Sequence, residues 1–379
     1  MMKRILLLML VTLSVTSFAQ NKKIEFNTPT LEDAFKLAKE QHKLVFVDCY
    51  TDWCIPCKQM EAGVFKVDSV ATFFNSTFIN IKVNMEKGEG PVVLKKYAIG
   101  AFPSYLLLDS DGKLLYKFVG GMTAEKFMAH IKTGMKADNP EAVMAARYAA
   151  GDRQPELLRN LVLLKFRQME IGEGKRLNDE LMDLLTPTQR ALPENWVLFE
   201  ENRYAMYVSN VDTRNFNYLV DHWKDFAATN NKDSVDHKMG FIFRKLAGEC
   251  LDGYHFKTTP YKKEDFEHYK QQIKATEMPD KNQLLTLIEM GQAAGEKKYE
   301  KVTSLFEKNI SKFSEANLRI TWPYVSMCSR IPGYKYPHAT EIANKVIKQT
   351  KNPYLVATCN MLKEQEIRFG KTAKTDLNK

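Results

Sequence analysis

Cysteine is scarce in this chain, with six in 379 residues. That is too few for a small domain stapled by disulfides. Beyond the first nineteen residues no apolar run reaches the length of a membrane span. The seven histidines are scattered singly and a second CxxC is missing, whereas a structural zinc site needs two further ligands in a second cluster. No metal and no organic cofactor is therefore expected. The formal charge of +9 is spread along the chain. Its densest clusters, Tyr261-Lys262-Lys263 and Glu296-Lys297-Lys298, are interrupted by acids. They read as solvated faces, which argues against a nucleic-acid surface. A clean 34-residue repeat is also missing.

What is present begins with a leader. Lys3 and Arg4 form a basic start, Ile5 to Val15 an apolar core, and Ser17-Phe18-Ala19 a small-residue cleavage site. Residues 1–19 are expected to be a secretory signal peptide, with an uncleaved anchor as the alternative. No cysteine follows the site, so no lipid attachment is expected. Export would place the chain in the periplasm or another extracytoplasmic, oxidising compartment, where a dithiol needs an electron donor to act as a reductant.

The informative stretch is Lys43 to Lys58, KLVFVDCYTDWCIPCK. Leu44 to Val47 is a short apolar run that could be a strand or a buried helix segment. Pro56 suits only the first turn of a helix, so a strand running into a helix is expected there. Cys54 then sits at or just before the helix N-terminus, where free N–H groups and the dipole favour its thiolate. Cys57 lies one turn on and can attack a mixed disulfide formed on Cys54. Asp48 is expected to be a buried carboxylate with a raised pKa, able to exchange a proton with the Cys57 thiol; the alternative is a plain loop carboxylate. Cys49 reads as a small buried apolar residue.

Asp48, Trp53, Cys54, Pro56, Cys57 and Lys58 fall at the relative positions of the thioredoxin active site, and the stretch resembles that superfamily. The resemblance spans about residues 24 to 137 and is nearest the periplasmic thioredoxin-like subgroup, through the Met60-Glu61 pair after CxxCK. It implies a mixed sheet flanked by helices, opened by a β–α–β unit with Ile24 to Phe26 as a short edge strand. It implies that Lys82 lies near Asp48. It implies that Pro103 is cis and faces the CxxC, and that the backbone before Pro103 pairs with a substrate chain. Trp53, Phe102, Pro103 and Gly120 would then form the substrate-binding face. Phe102 is bulkier than the small or aliphatic residue expected before that proline, which bears on substrate preference. A simple turn is the alternative for Gly120-Gly121.

Local signals agree with this order. Thr30 and Asp33 mark a helix start, and Asp111-Gly112 marks a hairpin. Glu86 to Pro91, EKGEGP, is a Gly-rich turn that lengthens one loop. From Asn139 strand alternation disappears, and helical spacing recurs in segments such as Asn195 to Val208, Asn215 to Thr229 and Lys263 to Ala275. Residues 139–379 are therefore expected to be all-helical, an irregular α-solenoid with fragments that resemble tetratricopeptide units. Trp196, Trp223 and Trp322 are groove candidates, although at helical positions such residues are more often core. Cys250, Cys328 and Cys359 are isolated.

The expectation is a leader at 1–19, a thioredoxin-fold domain at 20–138 and a helical domain at 139–379. Cys54 and Cys57 would be the redox-active pair, and Asp48 and Lys82 would manage the proton. The reaction would be reduction of disulfide-containing protein substrates, with electrons from an unidentified donor and a protein partner held by the helical domain. The rival readings are a partner-binding protein whose function lies in the helical domain, and a disulfide oxidase or isomerase.

Overall fold

The computed structural model describes residues 22–332 and 338–375; the expected leader at 1–19 lies outside them. Two compact units result, the first ending at Leu177 and the second beginning at Asn178. Among the described residues no helix is long and apolar enough to cross a membrane.

In the first unit α1 (Leu31–Gln41) starts at Thr30, whose side chain accepts from the Asp33 N–H, and stops at His42 in the left-handed conformation. β1 (Leu44–Tyr50) follows, then α2 (Ile55–Ala62), α3 (Asp68–Thr77), β2 (Phe78–Asn84) and α4 (Gly90–Lys96). β3 (Ser104–Leu108), β4 (Leu114–Val119) and α5 (Ala124–Gly134) complete the sheet layer. The strand order is β2-β1-β3-β4, with β1 parallel to β2 and antiparallel to β3.

Side chains alternate across β1 because the strand period is two. Val45, Val47 and Cys49 pack with Leu31, Ala34 and Ala38 of α1. Phe46 enters an aromatic cluster with Phe74, Tyr105 and Phe127 on the opposite face. The expected edge strand at Ile24 to Phe26 is not formed. This segment is extended chain with a single backbone link, Ile24 N–H to the Phe65 carbonyl at 2.9 Å, so the described chain opens with a helix and not with a β–α–β unit.

The unit continues past the sheet through α6 (Pro140–Ala149) and α7 (Pro155–Arg167) into α8 (Ile171–Leu184). Lys117 of β4 is buried and ion-pairs with Glu170, which also holds Lys165 at 2.9 Å. Its ammonium donates to the carbonyls of Tyr97 and Ala98, each at 3.0 Å. Burial holds the Lys117 pKa below the usual lysine range despite these partners. Asn139 and Gln168 donate to the β4 carbonyls of Leu115 and Lys117. Gly100 is in close contact with the turn before α8, since a Cβ there would lie 2.1 Å from the Met169 carbonyl oxygen. Gly100→Ala is expected to cost about 1–3 kcal/mol, the range for forced overpacking. Denaturant unfolding of the two proteins side by side measures it.

The second unit is helical, with Lys232–Leu251 packed on Lys281–Gly295. Lys263–Ala275 forms over the span its spacing predicts. Asn215 to Thr229 divides into Arg214–Asp221 and Trp223–Thr229 at His222. Asn195 to Val208 is not a helix. It holds two short 3₁₀ turns, Pro193–Leu198 and Ala205–Tyr207, joined by bends. Asn202 explains the break, because its side chain donates to the Val197 carbonyl and accepts from the N–H groups of Tyr204 and Ala205. Such local side-chain bonds compete with the helical ladder.

Candidate active site

Strand β1 ends beside the start of α2. Cys54 caps that helix, Pro56 lies in its first turn, and the Cys57 N–H donates to Cys54 Sγ at 3.1 Å. The two cysteines are joined as a disulfide with Cα atoms 5.3 Å apart. The Cys54 sulfur lies at the positive end of a helix with a backbone N–H directed at it, an environment that favours a thiolate over a thiol.

Asp48 is buried in the body of β1. Burial is the main cause that pushes its pKa from 3.8 to about 7; Lys82 opposes the shift and Glu61 adds to it. Its Oδ1 has no hydrogen-bond partner among the described residues. Lys82 is the register neighbour of Asp48 on β2. Its ammonium does not bond that carboxylate. It pairs with Glu61 of α2 at 2.6 Å and lies 4.4 Å from the Tyr50 ring centroid. Tyr105, the register neighbour on β3, is also buried, and burial raises its pKa well above the usual range.

The peptide bond between Phe102 and Pro103 is cis. The Gly120 N–H donates to the Pro103 carbonyl at 2.8 Å from a backbone with φ of 106°, which favours glycine. The N–H and C=O of Phe102 have no hydrogen bond among the described residues. Trp53 is 63% exposed. Its indole N–H donates to Glu86 at 2.9 Å, and its ring meets Phe102 edge-on with centroids 5.9 Å apart. Asp52 accepts from Asn84 at 2.9 Å and pairs with Lys87 at 2.7 Å, so the Gly-rich turn anchors both residues before Cys54.

Residues 31–134 match the model of a thioredoxin-like domain. This segment belongs to the thioredoxin superfamily. The chain is 36% identical over 126 residues to the thiol:disulfide interchange protein DsbD of Colwellia psychrerythraea, covering 32% of this chain and 19% of that protein. The Yersinia pestis protein of the same name is 32% identical over 109 residues, 28% of this chain and 18% of its own length. The chain therefore spans about a fifth of the length of these curated relatives. A solved structure of a proposed disulphide-isomerase from Bacteroides thetaiotaomicron is 41% identical, covering 32% of this chain and 99% of its own, with a TM-score of 0.30.

Within the thioredoxin-like domain the fold brings the eight expected site residues into two groups. Cys54, Cys57, Asp48 and Lys82 lie along the β1–α2 junction and its β2 neighbour. Trp53 contacts Phe102, and Gly120 bonds Pro103. Two further residues were not singled out for a role by sequence. Glu61 holds Lys82, and Glu86 holds Trp53. Each reaches its partner across more than twenty residues of chain, so spacing carries no signal of the contact.

Cys49, Cys250, Cys328 and Cys359 are free and buried, and burial raises the pKa of each thiol. Of the three groove candidates Trp223 is buried, whereas Trp322 is exposed. Glu307, His338 and Glu341 bring potential metal-ligand atoms within 4.8 Å of one another. Lys345 already pairs with both carboxylates, at 3.5 and 3.2 Å, and a cation there must displace it.

Proposed function

We propose that the chain is an exported thiol–disulfide oxidoreductase that reduces protein disulfides. The observation that carries this reading is the Cys54–Cys57 pair at a helix N-terminus, beside the buried Asp48. The reduced Cys54 thiolate attacks one sulfur of a substrate disulfide and expels the other as a thiolate, which takes up a proton. Asp48, when ionised, accepts the proton of Cys57. The Cys57 thiolate then attacks Cys54 Sγ and releases the second substrate thiol. Two electrons pass to the substrate and the Cys54–Cys57 disulfide forms again. A dithiol protein must return those electrons.

The unpaired N–H and C=O of Phe102 suit an extended substrate strand laid along the cis-proline turn. Trp53, fixed by Glu86 and Phe102, forms the wall of that face. Lys82 acts on Asp48 through space, because its ammonium is held by Glu61. The basic start, apolar run and small-residue site read from the sequence at 1–19 support export. The helical region from 139 onward is read as the part that holds a partner.

Ile55 and Pro56 place no charge between the cysteines. Strong oxidants owe their potential to a reduced form that is strongly stabilised, so a reductant is expected. Equilibration in thiol–disulfide buffers, followed by Trp53 fluorescence with Cys54→Ser as control, is expected to give about −270 mV. A value near about −120 mV would make the protein an oxidant and overturn the direction. Absence of any reversible transition would overturn the redox reading itself.

A further inference from the structure

Three cavities of the second unit share lining residues. The first, about 430 Å³, is lined by Trp196, Glu200, Asp233 and His237 among others. His237 also lines the second, about 580 Å³, whose apolar wall includes Phe241, Leu287, Ile320 and Pro323. Arg319 lines the second and the third, about 530 Å³, where Trp322, Tyr354 and Met361 form the wall. The three form a row, here the groove, in which neighbours share a side chain, His237 between the first and second and Arg319 between the second and third. Trp322, Tyr354 and Met361 are 57%, 83% and 45% exposed. Contiguous exposed apolar side chains of this size mark an interaction surface.

The charges along the groove are mostly satisfied from within. His237 pairs with Glu201 at 2.8 Å, Arg244 with Asp280 at 3.0 Å and Lys245 with Glu249 at 3.0 Å. Glu315 accepts the Thr350 hydroxyl at 2.7 Å, and Asp252 accepts the Tyr254 N–H at 2.8 Å. Arg319 differs. Its guanidinium has no ion pair or hydrogen bond among the described residues, although it stands where two apolar cavities meet. At the far end Glu200 and Asp233 have no ion pair among the described residues. Between the ends Asn317 lines the second cavity with its Oδ1 buried and without a donor.

We propose that this groove binds an extended peptide segment of a partner protein, with a carboxylate on Arg319 and apolar side chains in the cavities on either side. A charge-assisted bond to the free guanidinium fixes the acidic group. The acidic end at Glu200 and Asp233 fits a basic residue further along the same segment and repels an anionic lipid surface. Large apolar side chains beside Trp322 and Tyr354 supply the buried contact that dominates such interfaces. The proposal goes beyond the redox reading and stands whether or not the disulfide turns over.

The test uses the full chain carrying Cys54→Ser and Cys57→Ser, which removes both thiols of the pair and with them covalent capture there. A displayed library of random linear peptides is panned on it, and enriched peptides are synthesised with a fluorescent label and titrated by anisotropy. Enriched sequences are expected to carry an acidic residue or a free C-terminal carboxylate flanked by aromatic or aliphatic residues. Arg319→Glu and Trp322→Ala are each expected to weaken binding by about tenfold or more, and Arg319→Lys by less. Both side chains are exposed, and unchanged circular dichroism verifies that the variants fold. Absence of enrichment, peptides lacking an acidic group, or affinities indifferent to Arg319→Glu would overturn the proposal. A concentration-dependent dimer lost in Arg319→Glu would also overturn it, by giving the groove to a second copy of the chain.

Discussion

Replacing Cys54 by serine is expected to reduce turnover of a protein disulfide by on the order of a thousandfold or more, the scale on which covalent nucleophiles fail. Only Cys54 among the cysteines sits at the cap of a helix. The four free thiols cannot substitute, because each is buried and less acidic than usual. Cys57→Ser should behave differently. The first attack survives, the resolving thiol is gone, and the substrate stays bound to Cys54 through a mixed disulfide. Non-reducing electrophoresis should show the adduct, and dithiothreitol should dissolve it. If Cys54→Ser kept its full rate, the function would have to be sought outside the thioredoxin-like domain.

The second large effect belongs to Asp48. Its carboxyl is neutral below about pH 7 and ionised above it. The resolving step, which needs a base for Cys57, should therefore accelerate as pH rises through about 7 and then level off. Asp48→Asn should lose this rise, slow resolution by about 10–100-fold at pH 8, and accumulate the mixed disulfide. Rapid-quench thiol trapping across pH reads both features. Stability should move the opposite way. An acid whose pKa is raised on folding stabilises the folded state below its unfolded value, and that stability is lost as pH rises through the folded one. The change from 3.8 to about 7 corresponds to roughly 4 kcal/mol at 1.36 kcal/mol for each tenfold change in proton affinity. Asp48→Asn should thus unfold later than the parent at pH 8, with the gap closing towards pH 4. Glu61→Gln should shift the rate profile to lower pH, because it removes a negative charge that raises the Asp48 pKa and releases Lys82.

The site was legible where chemistry is local. A proline two residues after Cys54 fixed the helix start, an apolar run around Asp48 implied its burial, and Phe102-Pro103 lies where a cis bond was expected. Contacts between distant segments were not legible. Nothing in the spacing of Glu61 and Lys82, or of Trp53 and Glu86, distinguishes a partner from a solvated side chain. Helical spacing misled at Asn195 to Val208, where apolar periodicity was real but Asn202 bonded the backbone locally. It also merged the two helices that meet at His222. Ile24 to Phe26 has the alternation of a strand, yet it makes one backbone bond instead of a ladder.

The side-chain bonds from Asn139 and Gln168 to β4 have one more effect. In the order β2-β1-β3-β4 that strand is at the rim of the sheet. An open rim is a template on which another chain can polymerise. The carbonyls of Leu115 and Lys117 are already taken, and Lys117 places a buried ammonium beside them. Release of the segment around Gln168 would uncover that rim. Asn139 and Gln168, at the ends of α6 and α7, thus occupy part of the rim of β4, and a proteolytic cut between α5 and α6 is expected to be followed by aggregation before any loss of the Cys54–Cys57 chemistry.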